Sequence, residues 1–200
     1  GSFDLYYYSS DNVGNSEKIN KKSFYVDLTA PKSEHEIKGI VFNNNILAPS
    51  SSFKLSSNDN LSGVKKTTFL FDNGTESNYN GDIKLYNLKD GEHTIKYWST
   101  DNVKNCECDN AVTFNFYLDK IAPESEHEII GDLHEGKYTF VSSRSKIKLS
   151  SQDNKAGVKN IYYRINGGKR NTYSSPFALP INEGLYTIKY DAVDNVENLS

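Results

Sequence analysis

The chain has 200 residues, of which 24% are charged and 12% are aromatic, and its formal net charge is −3. Because the lysines are scattered along an acidic chain, the composition excludes a basic patch for a phosphate backbone, and we expect no nucleic-acid partner. No apolar run approaches the roughly 20 residues of a membrane-spanning helix, so we expect no membrane span. The aromatic residues are numerous enough to supply the core of a folded protein.

Residues 3–30 contain the first copy of a repeated phrase. Asp11-Asn12-Val13-Gly14-Asn15 returns 90 residues later as Asp101-Asn102-Val103-Lys104-Asn105, and 93 residues after that as Asp194-Asn195-Val196-Glu197-Asn198. A period of this size indicates tandem copies of one structural module. By alignment with the later copies, residues 3–30 correspond to the carboxy-terminal hairpin, strands F and G, of a truncated preceding module.

Residues 31–122 are predicted to form a complete module. It lies between Asp27-Leu28-Thr29-Ala30-Pro31 and Asp119-Lys120-Ile121-Ala122-Pro123, where proline removes a backbone donor and favours a junction between strands. Alternation of polar and apolar residues predicts strands over 53–57, 69–71 and 94–97, and a last strand over 114–118. Asp72-Asn73-Gly74 predicts a tight hairpin turn.

Residues 123–200 repeat this pattern without its last strand. The matching strands are predicted over 147–151, 163–165 and 187–190, and the matching turn is Asn166-Gly167-Gly168. About seven short strands in a module, with turn signals between them, are typical of an immunoglobulin-like sandwich. The sequence therefore predicts an all-β fold of tandem immunoglobulin-like β-sandwich modules, with no helix.

The strand around residues 24–26 is predicted to belong to a module whose front half is absent, whereas the last module ends before the equivalent strand. An unpaired sheet edge is a template for the addition of another strand. We therefore expect this strand either to pack on the module of residues 31–122 or to complete the open edge of the last module in a neighbouring chain by strand complementation. The other expected partners of each module are the neighbouring modules of the same chain.

The sequence resembles the immunoglobulin-like repeats of bacterial surface proteins. The matching segments are Tyr162-Tyr163-Arg164-Ile165-Asn166-Gly167-Gly168, Tyr173-Ser174-Ser175-Pro176-Phe177 and Glu183-Gly184-Leu185-Tyr186-Thr187-Ile188-Lys189-Tyr190. Similar modules occur as outer-membrane-protein repeats and as chitobiase-type carboxy-terminal domains. The resemblance covers essentially the whole chain, although residues 31–122 lack the Pro-Phe step. It implies an extracellular, tandem, structural or adhesive protein, and it implies no catalytic residues.

Acidic and amide side chains at the junctions and loops are the candidate metal ligands. They are Asp27, Asp101, Asn105, Asp119, Asp194 and Asn198. Calcium takes six to eight oxygen ligands from such groups, so one interpretation is a weak calcium site, and no other cofactor is expected. The alternative is that they are turn formers whose side chains bond their own backbone. Asp59 and Asp153 mark a second repeated polar loop, for which turn formation is favoured.

Aromatic and sulfur side chains supply the remaining candidates. Trp98 is the candidate ligand-binding residue, as a contact for a sugar ring, and packing at the sheet edge is its alternative. The repeated tyrosines Tyr97 and Tyr190 are predicted to anchor the sandwich through a backbone bond. His35 and His127, each flanked by glutamates, are weaker candidates for a metal. Cys106 and Cys108 lie too close together for an ordinary loop-closing disulfide, and we interpret them as loop residues without a role.

The sequence contains no convincing catalytic arrangement of residues, neither a Ser-His-Asp set nor a phosphate-binding glycine loop, so we expect no enzyme. The favoured interpretation is an extracellular or cell-surface repeat segment of a bacterial surface or secreted protein. It would serve as a stalk or spacer and in adhesion to a glycan or to a host or cell-surface protein. The alternatives are a glycan-binding accessory module of a carbohydrate-active enzyme and a calcium-stiffened adhesin stalk.

Overall fold

The computed structural model describes residues 1–200 and shows an all-β protein built from tandem immunoglobulin-like sandwich modules. Its single helical segment is a 3-10 turn at Cys108–Asn110, and no helix has the length and apolarity that crossing a membrane requires. The first 30 residues carry a hairpin of β1 (Ser2–Tyr7) and β2 (Asn20–Tyr25).

Nine strands follow in residues 31–122 and eight in residues 123–200. The nine are β3 (Lys32–Lys38), β4 (Val41–Phe42), β5 (Ile46–Leu47), β6 (Ser52–Asn58), β7 (Val64–Phe71), β8 (Ser77–Asn78), β9 (Ile83–Lys84), β10 (Gly91–Asp101) and β11 (Val112–Leu118). The eight are β12 (Glu124–Ile130), β13 (Leu133–Glu135), β14 (Thr139–Val141), β15 (Lys146–Gln152), β16 (Val158–Ile165), β17 (Asn171–Thr172), β18 (Phe177–Ala178) and β19 (Ile188–Asp194).

The chain divides into two compact units. The first comprises Gly1–Glu36, Leu55–Gly81 and Ile95–Phe114, and the second comprises Ile37–Lys54, Asp82–Thr94 and Asn115–Ser200. Both units contain parts of the range 31–122. The module boundaries at residues 30 and 122 stay predictions from the repeat.

Residues 31–122 form two sheets. One has the order β3-β6-β9 and the other the order β4-β5-β11-β10-β7-β8. In β6, buried Phe53 and Leu55 alternate with exposed Lys54, which confirms the predicted period of two. The ring of Phe53 meets that of Phe116 edge to face at 5.3 Å, so the aromatic residues of β6 and β11 form part of the core.

Residues 123–200 repeat the sandwich with fewer strands. One sheet has the order β12-β15-β18, the other has the order β17-β16-β19, and β13 and β14 form a separate hairpin. Ile147 and Leu149 of β15 are buried, as are their counterparts in β6. Tyr163 of β16 stacks on Phe177 of β18 at 4.0 Å between ring centroids, which joins the two sheets.

The two predicted hairpin turns have the backbone geometry that their sequences favour. Asp72 and Asn73 both have positive φ, of 52° and 57°, and Asn166 and Gly167 have φ of 49° and 70°. A turn with two consecutive residues of positive φ has a backbone twist that matches the right-handed twist of the strands on either side. The strands joined by these turns, β7 with β8 and β16 with β17, pair antiparallel.

The hairpin of β1 and β2 forms a sheet of its own. All twelve of its residues are exposed, and Phe24 on β2 faces Phe3 on β1. The expectation that residues 24–26 pack on the module of residues 31–122 is therefore not met by β2. The other expectation, complementation of a neighbouring chain, stays open.

The interpretation of the two cysteines was wrong, because Cys106 and Cys108 form a disulfide. The spacing of two residues still brings their Cα atoms to 5.2 Å, which lies within the usual range for disulfides. Because the bond closes a loop of only three residues, it removes little conformational entropy from the unfolded chain.

Substitution of the same residue type inside and outside the core tests this description of residues 123–200. We expect Leu149→Ala to lower the free energy of unfolding by about 2–5 kcal/mol, because it leaves a cavity beneath β15. Leu185, which is 74% exposed, is the matched control, and Leu185→Ala should change stability by less than about 0.5 kcal/mol. Urea unfolding measures both, and equal losses would contradict the burial pattern.

Candidate metal centres at the module junctions

The Asp-Asn-Val-x-Asn phrase forms the same turn in all three copies. In the second copy, Asp101 Oδ1 accepts the backbone N–H groups of Val103 and Asn105, and Asp101 Oδ2 accepts the side-chain amide of Asn105. The copies that begin at residues 11 and 194 make the same three bonds. The turn-forming interpretation is thus correct for this loop, and it accounts for the repetition of both Asp and Asn.

Two further aspartates complete a cluster at the start of the module of residues 31–122. Asp27, from the linker, and Asp59, from the loop after β6, join Asp101, and one carboxylate oxygen of each lies within 4.8 Å of the other two. Asp27 accepts a hydrogen bond from the N–H of Ser62, and Asp59 caps the N–H of Gly63. Hydrogen bonds to nearby backbone N–H groups therefore hold the three carboxylates close together.

The next junction repeats this cluster with Asp119, Asp153 and Asp194, again within 4.8 Å. Asp119 Oδ2 accepts the N–H of Ala156, and Asp153 caps the N–H of Gly157. We refer to Asp27, Asp59 and Asp101 as the first carboxylate cluster and to Asp119, Asp153 and Asp194 as the second. Asp59 and Asp153 belong to a different repeated loop from the other four aspartates, and in the sequence only their shared spacing from the following glycine could have linked them to the junction.

The six aspartates of the two clusters differ in exposure. Asp101, Asp119 and Asp194 are fully buried, whereas Asp27, Asp59 and Asp153 are half-buried. One oxygen atom on each loop aspartate, Oδ1 of Asp59 and of Asp153, is shielded from solvent and has no hydrogen-bond donor. An ionised oxygen in this position is costly unless a donor or a cation satisfies it.

The two linker aspartates respond to their surroundings in opposite ways. Hydrogen bonds from Ser62 are the main reason that the pKa of Asp27 falls to about 2. Burial raises the pKa of Asp119, and the negative charges of Asp153 and Asp194 raise it further against the bonds from Ile121 and Ala156. The carboxylate of Asp119 therefore holds its negative charge at a greater cost than that of Asp27.

Asn105 and Asn198 tie the turn to the linker. The amide nitrogen of Asn105 donates to Asp101 Oδ2 and to the backbone oxygen of Asp27. That of Asn198 donates to Asp194 Oδ2 and to the backbone oxygen of Asp119. Both side-chain amides thus donate N–H groups to the carboxylates. To act as the predicted metal ligands, each amide would have to flip so that its oxygen replaces its nitrogen. That role stays a prediction.

Glu107, which was not among the predicted site residues, connects β3 to β10 next to the Asp101–Asn105 turn. Glu107, which lies between the two cysteines, accepts the N–H of Ser33 through Oε1 and the N–H of Ser99 through Oε2. Glu17 does the same for the N–H of Ser9 in the first hairpin. The signal in the sequence was the glutamate that follows the turn by the same number of residues in these two copies.

The histidines of the first strands pair with the repeated tyrosines. His35 Nδ1 and the Tyr97 hydroxyl share a hydrogen bond of 2.6 Å, and His127 Nδ1 and the Tyr190 hydroxyl share one of 2.9 Å. These tyrosines therefore bond a side chain across the sandwich. Burial lowers the pKa of His35, and burial followed by the charges of Glu107 and Glu34 raises the pKa of Tyr97 to about 12.

Trp98 lies in β10 opposite Thr68 and is only 9% exposed. A sugar ring stacks on an exposed aromatic face, and Trp98 offers little such surface. Its ligand-binding role stays a prediction, without support from its burial.

The fold and the repeated junction define a tandem immunoglobulin-like repeat protein. No protein-family model matches the sequence, and no curated protein is significantly similar to it. A solved structure described as a tetra-tandem repeat in the extending region of a large adhesion protein is similar at a TM-score of 0.34 and 14% identity. The match covers 100% of this chain and 54% of that one, so this chain spans about half of its length. The resemblance to chitobiase-type modules stays a prediction.

The half-buried His35 predicts a pH dependence of stability. Because the pKa of His35 is lower in the folded chain than its ordinary 6.5, stability is complete above about pH 6.5 and falls as the pH drops toward the folded pKa. We expect His35→Gln, which can still bond Tyr97, to reduce this slope between about pH 7.5 and 5.5.

Urea unfolding at several pH values measures the slope. One fully linked proton would give about 1.4 kcal/mol per pH unit, and the half-buried His35 should give less. His127→Gln is the matched control, since His127 makes the equivalent bond while exposed. An unchanged slope in His35→Gln would contradict the assignment.

Proposed function

We propose that this chain is a non-enzymatic segment of an extracellular stalk or spacer, belonging to a bacterial surface or secreted protein, in which repeated modules are joined by packed junctions. The observation that carries the proposal is the junction before residues 123–200, where both apolar packing and hydrogen bonds restrain the linker. A spacer keeps a fixed length and transmits force only if its modules do not pivot freely about their linkers. A restrained linker therefore suits this role.

The apolar part of this junction is a small buried cluster. Ile46 of β5 and Ala48, the residue after β5, pack with Ala156 and Val196 from two loops of residues 123–200. Each of the four is at most 7% exposed. Tyr117 packs against the cluster, and the ammonium group of Lys155 lies 4.4 Å from the centre of its ring. Apolar side chains from before and after the linker therefore pack on one another and are shielded from water.

The polar part holds the linker itself. The backbone N–H of Lys120 donates to Asp90, and its ammonium group donates to the backbone oxygens of Tyr86 and Leu88. Asn198 and Ala156 bond the adjoining Asp119. The linker thus has hydrogen-bond partners on both sides.

Proteolysis at Lys120 tests the restrained junction. We expect Val196→Ala to raise the rate of trypsin cleavage after Lys120 by about tenfold, because loss of buried contacts worth about 1.4 kcal/mol increases the opened fraction by that factor. Val103→Ala, at the equivalent position but 54% exposed, is the control and should leave the rate unchanged. Fragment masses identify the site, and rapid cleavage of the unsubstituted chain after Lys120 would exclude a restrained spacer.

Adhesion is the second part of this proposal, with a glycan or a host or cell-surface protein as the partner. A glycan array, read with the unsubstituted chain and with Trp98→Phe, separates a plain spacer from the glycan-binding alternative. Sugar-dependent binding that weakens in Trp98→Phe would favour the accessory module of a carbohydrate-active enzyme.

The carboxylate clusters favour one more specific function, a stalk stiffened by calcium. Three carboxylates within 4.8 Å repel one another when ionised, and each cluster contains an oxygen without a donor. Calcium prefers carboxylate oxygens and would offset this repulsion, with water completing its six to eight ligands. Because Asp27 and Asp119 belong to the linkers, a bound ion would also fasten each linker to the loops of the following module.

Two conservative substitutions test the calcium function. Oδ1 of Asp59 and of Asp153 accepts no hydrogen bond, so Asp59→Asn and Asp153→Asn need lose none while removing a charge. We expect millimolar calcium to raise the melting temperature of the unsubstituted chain and a chelator to reverse the rise. At a calcium concentration 100 times Kd, one site adds about 2.7 kcal/mol.

The double variant should melt at the same temperature with and without calcium, and without calcium it should be at least as stable as the unsubstituted chain. Asp109→Asn, at an exposed position outside both clusters, is the matched control and should keep the calcium response. If the melting temperature of the unsubstituted chain does not depend on calcium, the clusters serve only as turn caps.

A further inference from the structure

The Cys106–Cys108 disulfide occurs in only one copy of the repeated turn. Cys106 forms a β-bridge with Thr100 just after the turn. In the first copy, Ser16 forms the same bridge with Ser10, and their hydroxyl groups share a hydrogen bond of 2.7 Å. The bridge that closes the turn therefore forms without sulfur.

The backbone around the disulfide is also held without it. The N–H of Glu107 donates to the backbone oxygen of Ser99, and the Glu107 carboxylate accepts the N–H of Ser99. Glu17 and Ser9 make the same two bonds in the first hairpin, where Lys18 stands in the place of the second cysteine. Because the disulfide closes a very short loop, it adds little to the stability of a backbone that is already fixed. What it adds to this copy is the reactivity of a sulfur–sulfur bond.

The two sulfur atoms of the disulfide have different surroundings. Cys108 is exposed, whereas Cys106 is half-buried. Sγ of Cys106 accepts the hydroxyl of Thr100 at 3.4 Å and the N–H of Cys108 at 3.2 Å. In thiol–disulfide exchange the attacked sulfur must be accessible, and the sulfur whose negative charge is better stabilised leaves more readily. Both conditions favour attack at Cys108 and departure of Cys106.

We propose that this disulfide is a thiol-exchange site, at which Cys108 becomes linked to the sulfur of an incoming thiol. The incoming thiol loses its proton, and its thiolate forms a bond with Sγ of Cys108. The bond between Cys108 and Cys106 breaks, and Cys106 leaves with the electron pair and then takes up a proton. One disulfide replaces another, so the step consumes no oxidant or reductant. The site gives the chain a point of covalent attachment, an activity beyond that of a spacer.

Charges beside the site determine which thiols it takes. Glu107 and Asp109 flank Cys108, and no basic residue lies within three positions of it in the sequence. Carboxylates repel a thiol that carries a negative charge elsewhere and attract one that carries an amine. The expected ligand is therefore a neutral or positively charged thiol, either a small aminothiol or a cysteine in a basic segment of another protein.

Trapping of the mixed disulfide tests the proposal. The full chain is incubated with cysteamine, quenched with iodoacetamide and mapped by peptide mass. We expect cysteamine on Cys108 and the alkyl group on Cys106, in about tenfold excess over the reverse arrangement. An unstructured peptide of residues 104–110, oxidised to the same disulfide, is the control and should show no such preference. No adduct, a predominant adduct on Cys106, or the same ratio in chain and peptide would overturn the proposal.

Thr100→Val tests the role of the hydrogen bond to Cys106. Val193 holds the equivalent position in the third copy, so the variant should keep the fold. We expect the rate of adduct formation to fall about threefold, because Cys106 loses a donor that stabilises it as a thiolate. Thr172→Val, at an exposed position of β17, is the matched control and should leave the rate unchanged. Equal rates in all three chains would contradict the assignment of Cys106 as the leaving group.

Two further thiols identify the class of ligand. Mercaptoethanesulfonate, a small thiol with a negative charge, should react about threefold more slowly than cysteamine after correction for the thiolate fraction of each, and added salt should reduce the difference. Faster reaction of mercaptoethanesulfonate would overturn the expected charge preference. A lysine-rich peptide with one cysteine separates the two sources. Labelling of Cys108 by this peptide would assign a protein thiol as the ligand, whereas labelling by cysteamine alone would assign a small one.

Discussion

The buried aspartate that ends β10 and β19 is the constraint around which the modules are organised. Asp101 and Asp194 are fully buried, and a buried carboxylate is tolerated only when its oxygens are satisfied. Each therefore collects two backbone N–H groups and one asparagine amide from its own turn. The same asparagine also bonds the linker, so satisfying the aspartate positions the chain between modules.

The linker in turn connects to a loop of the following module, the loop after β6 or the loop after β15. Asp27 accepts the N–H of Ser62, and Asp119 accepts the N–H of Ala156. A second asparagine, Asn102 or Asn195, holds that loop by donating its side-chain amide to the backbone oxygens of two consecutive residues. Turn, linker and loop thus form one hydrogen-bond network at each junction. The network exists in two copies because the sequence that builds it is repeated.

Equivalent residues nevertheless meet different surroundings. Val196 is buried and Val103 is exposed, although both follow the same Asp-Asn pair. The linker aspartates differ likewise, since the pKa of Asp119 is raised by burial and that of Asp27 is lowered to about 2 by Ser62. In a repeat protein the stability of a module includes the interface with its neighbour. Val103 lacks the apolar contacts that Ile46 and Ala48 provide to Val196.

The sequence by itself determined the features whose cause is local. The all-β class, the hairpin turns at Asp72-Asn73 and Asn166-Gly167 and the caps made by Asp101 and Asp194 all depend on residues within a few positions of one another. Turn geometry and side-chain-to-backbone bonds act at that range. Even the burial pattern of β6 follows from a period of two that is visible in the sequence.

Only the tertiary structure decided which distant groups meet. Asp59 joins Asp27 and Asp101, His35 reaches Tyr97, and Trp98 is buried opposite Thr68, each across a sequence separation that turn chemistry does not span. These contacts depend on how two sheets pack and on which strand lies beside which. Alternation of side chains along a strand shows that a residue faces inward, but the residue it meets there is set by the packing of the opposite sheet.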